Sequence, residues 1–253
     1  MKIFLKNTIY TLAILFTSIL IAQNEALFKE ANALYNEGKY QDAIDKYTTI
    51  LDSGQHSAAL YFNLGNSHYK LNNIAPSIYY YEKALQLSPN DQEIKNNIAF
   101  AQNMTIDAID VIPEGGFSKI IKYITNLASF ENWAKLSIVF IILFVILFLI
   151  YYFTYSGSKK RLAFVGSFLS LFLVILTLSL AFKKYNLDQI DRPAIVFAKE
   201  AQVKSEPNLR SSEAFKLHEG TKVQILDTVN NWKKVKLTDG KSGWISNEDI
   251  KEL

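Results

Sequence analysis

Two triplets of side chains, Phe28, Asn32 and Tyr35, then Phe62, Asn66 and Tyr69, share residue types, share an i, i+4, i+7 spacing and stand 34 residues apart. On a helix that spacing gathers each triplet onto one face. Side-chain amides on such a face can pair with the N–H and C=O groups of an extended peptide, each bond netting about 1 kcal/mol. Aromatic rings add apolar area, and a neighbouring cation suits an acidic group. Asn63 and Lys70 stand beside the second triplet, with Asn36 and Asn96 nearby. The predicted peptide-binding set is therefore Phe28, Asn32, Tyr35, Phe62, Asn63, Asn66, Tyr69 and Lys70. A plainer alternative makes them polar residues of solvated helix faces, repeated because one ancestral segment was duplicated.

Covalent chemistry has fewer candidates. The chain holds no cysteine, so disulfides, thiol nucleophiles and thiolate metal sites are excluded. His56, His68 and His218 are mutually remote in sequence, and spacing assembles no metal cluster, triad or acid–base pair. His218, beside Glu219-Gly220, reads as an exposed loop histidine. No glycine-rich phosphate loop occurs. The reading is a non-enzymatic chain with no catalytic, metal or cofactor-binding residue and no cofactor. A net charge of +3 with scattered cations argues against nucleic acid as a partner.

The elements that must carry these residues are ordered by three apolar stretches. The first, Thr8 to Ala22 behind Lys2 and Lys6, is short for a span and ends in Leu20-Ile21-Ala22, which predicts a signal peptide over 1–22. If it is not cleaved, it serves as an anchor. The others, Leu136 to Phe153 and Leu162 to Phe182, carry no charged side chain. Their lengths match a hydrocarbon slab of roughly 30 Å. They predict transmembrane helices over 134–153 and 162–182, joined by a loop over 154–161 whose Lys159, Lys160 and Arg161 place it in the cytoplasm. The expected location is the inner (cytoplasmic) membrane, multi-pass, with both soluble segments periplasmic. Gly166, Ser167 and Ser170 would let the paired helices approach closely.

Ahead of the spans, the period of 34 relates Leu27, Ala31, Leu34, Ala43, Ile44 and Tyr47 to Tyr61, Gly65, His68, Ser77, Ile78 and Tyr81. The second copy, with Tyr61, Leu64, Gly65, His68, Ser77, Tyr81, Ala84 and Pro89, resembles the tetratricopeptide repeat, and the first is a looser copy of it. The resemblance implies helix pairs over 24–57 and 58–91, and in that class the stripe singled out above lines the concave surface. Two repeats need a cap, and Ile94, Ile98, Ala101 and Ile106 predict a capping helix over 91–109, completing a repeat domain over 24–110 and a five-helix array. Phe117, Ile120, Ile121, Ile124 and Leu127 then predict an amphipathic helix over 117–130, lying at the membrane interface with Trp133 as an anchor, or else docked on the repeats.

From Ala194 onward the pattern alternates. It predicts five strands, Ile195–Phe197, Ala201–Lys204, Lys222–Asp227, Lys233–Leu237 and Gly243–Ser246, with Asp239-Gly240 as a hairpin turn. The runs Ala201 to Asn208, Leu217-x-Glu219-Gly220-Thr221, Asn231-Trp232-Lys233-Lys234-Val235 and Gly243-Trp244-Ile245 are similar to bacterial SH3 domains, implying a small barrel over 194–253. Trp232 is the candidate ligand-surface residue, for peptide or glycan, whereas Trp244 is expected in the core.

The expected fold is thus a multidomain membrane protein: an all-α tetratricopeptide array, a two-helix transmembrane hairpin and an all-β SH3-like barrel. That order, with Asn97-Ile98-Ala99-Phe100-Ala101-Gln102 and the residues through Ile109, resembles the BatE-type proteins of the Bacteroides aerotolerance operon. The resemblance implies a scaffold acting beside von Willebrand-type proteins and a MoxR-type ATPase. An adaptor that binds peptidoglycan through the barrel and recruits a partner through the repeats is the second reading.

Overall fold

The computed structural model of the chain describes residues 23–109 and 115–253; the expected signal peptide lies outside them. The described residues fall into two compact units, one drawn from Met1–Asp110 and Pro193–Leu253, the other from Val111–Arg192.

In the first unit five helices follow one another: α1 (described over 23–36), α2 (Tyr40–Asp52), α3 (Ala58–Lys70), α4 (Ile74–Leu87) and α5 (Gln92–Gln102). Their starts are set by caps. The Ser57 side chain accepts from the Leu60 N–H, and Asp91 accepts from the N–H groups of Glu93 and Ile94. Small residues let the helices close up: Ala31, Ala43 and Ser77 are fully buried, and a Cβ on Gly65 would stand 2.5 Å from the Tyr81 ring. Tyr47 and Tyr81 fill the space this leaves. The capping helix is shorter than expected. It ends at Gln102, where the N–H groups of Asn103, Met104 and Thr105 turn back onto Ala99, Ala101 and Gln102, and the remainder to Ile109 is non-helical because the barrel takes up its side chains.

The barrel is one antiparallel sheet of seven strands: β1 (Pro193–Val196), β2 (Glu200–Lys204), β3 (Glu213–His218), β4 (Lys222–Val229), β5 (Trp232–Lys236), β6 (Ser242–Ser246) and β7 (Ile250–Glu252), in the order β3-β2-β6-β5-β4-β1-β7. Two strands were not anticipated. β3 has only Phe215 and Leu217 as large apolar residues, and β7 is three residues long, so neither carries much alternation of its own. Inward-facing Ala201, Val203, Leu217, Val223, Ile225, Val235 and Ile245 form the barrel core. Gly243 has Val203 against it, 2.5 Å from where a Cβ would stand.

β1 is buried on both faces. Ala194 and Val196 enter the barrel core, while Ile195 between them packs among Ala75, Ile78 and Tyr79 of α4. The array and the barrel are therefore one body. Tyr79 meets the Phe197 ring edge-on at 5.7 Å, Lys251 sits 4.5 Å over the Tyr79 ring, and buried Glu82 pairs with Lys222 at 2.8 Å. Gly220, at φ +87°, comes so close that a Cβ would meet Thr105, Ile74 and Ile78 within 3.0 Å.

The second unit contains α6 (Gly116–Thr125), α7 (Phe130–Phe153) and α8 (Gly157–Ile190). α7 and α8 are long and apolar enough to cross a membrane. The connection between them is only Thr154 to Ser156: Lys159, Lys160 and Arg161, expected in a loop over 154–161, belong to α8. Both helices overrun the predicted spans, and at 34 residues α8 measures about 51 Å. Ala163, Ser167, Ser170, Thr177 and Ala181 form the buried seam of the pair, and the Ser170 hydroxyl donates to the Phe140 carbonyl at 2.7 Å. The Trp133 indole donates to the Thr125 carbonyl at 3.1 Å, tying α7 to the end of α6.

Candidate functional site

The predicted groove residues divide into two groups with different work. Asn32 Oδ1 accepts from the Tyr47 hydroxyl at 2.5 Å and from Asn63 Nδ2 at 2.9 Å. One repeat later, Asn66 Oδ1 accepts from the Tyr81 hydroxyl at 2.7 Å and from Asn97 Nδ2 at 3.0 Å. Each rung links a helix to its own partner and to the next repeat. Burial drives both phenols upward, Tyr47 to about 12, which keeps them protonated as donors. Phe28 and Phe62 pack against the same tyrosines at 5.7 and 5.8 Å. The amide oxygens of Asn32 and Asn66 are thus engaged within the array, and their repetition follows from this ladder.

Tyr35, Tyr69 and Lys70 are brought together instead. With Asn66, Tyr81, Glu93, Asn97 and Phe100 they line a cavity of about 300 Å³ between α1, α3 and α5. Burial, with Tyr40 close by, raises the Tyr35 hydroxyl. Phe100 stands 60 % exposed at this cavity, an apolar ring held open to solvent. Glu93 also borders a second cavity of about 300 Å³ with Ala58, Phe62 and Asp91. Phe28 lines a third, of about 500 Å³, beside His56 and Leu60. Glu93, Asn97 and Phe100 escaped sequence reasoning because α5 was treated as a cap. Extending the 34-residue register would have found Asn97, which repeats Asn63.

On the barrel, Trp232 is half-buried on β5, where it alternates with Lys233, buried and paired with Glu252. Trp244 is not in the core as expected. The pleat turns Gly243 and Ile245 inward and Trp244 outward, directly across from Lys234 on β5 and Lys204 on β2. Lys234 Nζ lies 6.0 Å from the Trp244 ring. Trp232, Lys234, Trp244 and Lys204 therefore share one outward face.

The histidines are placed by packing. His218 is no exposed loop residue: it ends β3, its N–H donates to Asp107 at 2.7 Å, and its Nδ1 lies 2.7 Å from the other carboxylate oxygen. Thr221 adds a hydroxyl donor at 2.6 Å. Burial pushes the Asp107 carboxyl up, but these hydrogen bonds from Thr221 and His218 outweigh it and hold the group below its ordinary value. His68 stacks on Tyr80 at 5.4 Å, and burial, assisted by Lys251, lowers it to about 4. His56 lies 2.7 Å from the Tyr61 hydroxyl. Among the described residues no three His, Cys, Asp or Glu side chains are grouped to hold a metal ion.

Comparison with known proteins agrees with this architecture. Residues 28–92 match the tetratricopeptide repeat family and residues 199–251 the bacterial SH3 domain. Among solved structures, the tetratricopeptide domain of Sgt2 from Aspergillus fumigatus is similar over 38 % of this chain and 93 % of its own, at 19 % identity and a TM-score of 0.21. No curated protein matches the chain. The protein thus combines a helical repeat array, two long apolar helices and a C-terminal SH3-like sheet, and modules of the first and last kinds are typically non-catalytic interaction domains.

Proposed function

We propose that the protein is a membrane-anchored, non-enzymatic scaffold whose repeat groove captures an extended segment of a protein partner. The observation that carries this is the cavity at Tyr35, Tyr69, Lys70 and Phe100. It offers rings, amides, the Lys70 cation and the Glu93 carboxylate, the groups that hold a peptide carrying an apolar side chain and charges of both signs.

Because the array and the barrel make one body from segments on either side of the hairpin, both belong in one compartment. The cluster Lys159-Lys160-Arg161 at the hairpin turn supports a cytoplasmic turn, hence an inner-membrane protein with a periplasmic body. The apolar face of α6, with Ile120, Tyr123 and Ile124 exposed, supports its lying at the membrane interface. The order of modules supports a place in a Bat-type envelope complex linked to aerotolerance or stress, beside von Willebrand-type partners.

A photo-crosslinking residue at Phe100 in intact cells tests the groove. Attachment of a von Willebrand-type membrane protein, lost when Tyr69→Ala and Lys70→Glu are added, is the expected result; an unchanged adduct pattern overturns it. A second reading, tethering to peptidoglycan, is favoured by the outward Trp232–Lys234–Trp244 face. Retention of the full chain on purified sacculi, lost in Trp232→Ala/Trp244→Ala, would establish it over the first.

A further inference from the structure

We infer that the turn of the membrane hairpin holds the headgroup of an anionic phospholipid. Tyr151 near the end of α7 and Gly157, Lys160, Arg161 and Phe164 on α8 line a cavity of about 380 Å³. Lys160 is already positioned there, its Nζ 5.2 Å from the Tyr151 ring centroid. Among the described residues neither Lys160 nor Arg161 has a carboxylate partner, and the chain has no Asp or Glu between Glu131 and Asp188.

The chemistry is graded along the helix axis. The two cations sit in the first turns of α8, the Tyr151 ring stands in the last turn of α7, as interfacial aromatics do at the ends of spans, and Phe164 lies within the apolar run that opens at Leu162. A phosphodiester needs the first, and the acyl chains beneath it need the last. A free inorganic anion would use the cations and gain nothing from the aromatic wall, so the cavity is assigned to a lipid of the surrounding leaflet. This rests on the hairpin lying in a bilayer, and on no part of the groove reading.

The test uses the full chain in vesicles of equal phosphatidylglycerol and phosphatidylcholine, followed by native mass spectrometry of the lipid that stays bound. Phosphatidylglycerol is expected to be retained over phosphatidylcholine by about fivefold or more, and to resist excess inorganic phosphate. Lys160→Gln/Arg161→Gln should abolish the preference, Lys160→Arg/Arg161→Lys should restore it, and Lys135→Gln/Lys183→Gln, which removes the same charge at the far end of the hairpin, should leave it intact. Equal retention of the two lipids, displacement by phosphate, or equal loss in both glutamine pairs overturns the proposal. A chain that fails to float with vesicles of either composition overturns the bilayer reading itself, which separates the two failures.

Discussion

The two repeat copies share a core and differ on one face, and the difference marks where a neighbour sits. Ala43, Ile44, Tyr47 and Ile50 of α2 are buried, as are their counterparts Ser77, Ile78, Tyr81 and Ala84 of α4. On the next stripe, however, α2 carries Gln41, Asp45 and Thr48, while α4 carries Ala75, Tyr79 and Glu82, all buried. Gln41 and Asp45 face solvent, where the Gln41 amide donates to the Asp45 carboxylate at 3.0 Å. Ala75, Tyr79 and Glu82 meet the barrel. The shared stripe follows the 34-residue period, and docking accounts for the other.

The largest test of this contrast is Tyr79→Ala against Asp45→Ala. Removing the Tyr79 ring should cost about 3 to 5 kcal/mol of unfolding free energy, and the Asp45 change less than about 0.5 kcal/mol. Equal effects in denaturant titrations would break the comparison. Gly220→Ala comes next, at about 3 kcal/mol, because it adds a Cβ among three methyl groups at a positive φ. Array and barrel should then melt in separate calorimetric steps, whereas a single unshifted transition would show that the contact does not bind them.

His68, which stands where copy one has Leu34, adds a pH dependence that only the second copy has. Its folded value of about 4 lies below its ordinary 6.5, so the unfolded chain takes up the proton first and stability falls as pH drops through that window. The stability gap between His68→Leu and the unaltered protein should grow by about 2 kcal/mol in favour of leucine from about pH 8 to about pH 5. A constant gap would place the ring in a wetter site. The smallest expected effects are the sharpest: Tyr47→Phe and Tyr81→Phe each lose one hydrogen bond of a rung, about 1 kcal/mol, and should match each other. A clear inequality between them would show that the barrel stiffens its adjacent rung.

The repeat register, the apolar helices and most of the strands were legible because each repeats a local period. What stayed hidden was long-range. Asn32 and Asn66 looked like peptide ligands, since a polar residue on a concave stripe has the same signature whether it meets a guest or a neighbouring tyrosine. Trp244 looked like core because it lies between Gly243 and Ile245, yet the two-residue pleat sends it to the opposite face. Asp107 and His218 are 111 residues apart, with the entire membrane hairpin between them, and nothing in either segment announces the other. The second apolar stripe of α4 was the available hint. Ala75 and Tyr79, which stand where α2 has Gln41 and Asp45, spoke for a partner on that side.

The doubly buried β1 bears on how the gene can be cut. A fragment opening at Lys199, where the recognisable SH3 sequence begins, would discard the strand between β4 and β7. It would leave β4 with unpaired backbone along one edge, and β7 without an anchor. The remaining array would carry a bare groove over Ala75, Ile78 and Tyr79 where Ile195 had been. Both pieces would expose sticky surface and tend to aggregate during expression, so the natural excision point for either is ahead of Pro193, and the soluble product is the two joined.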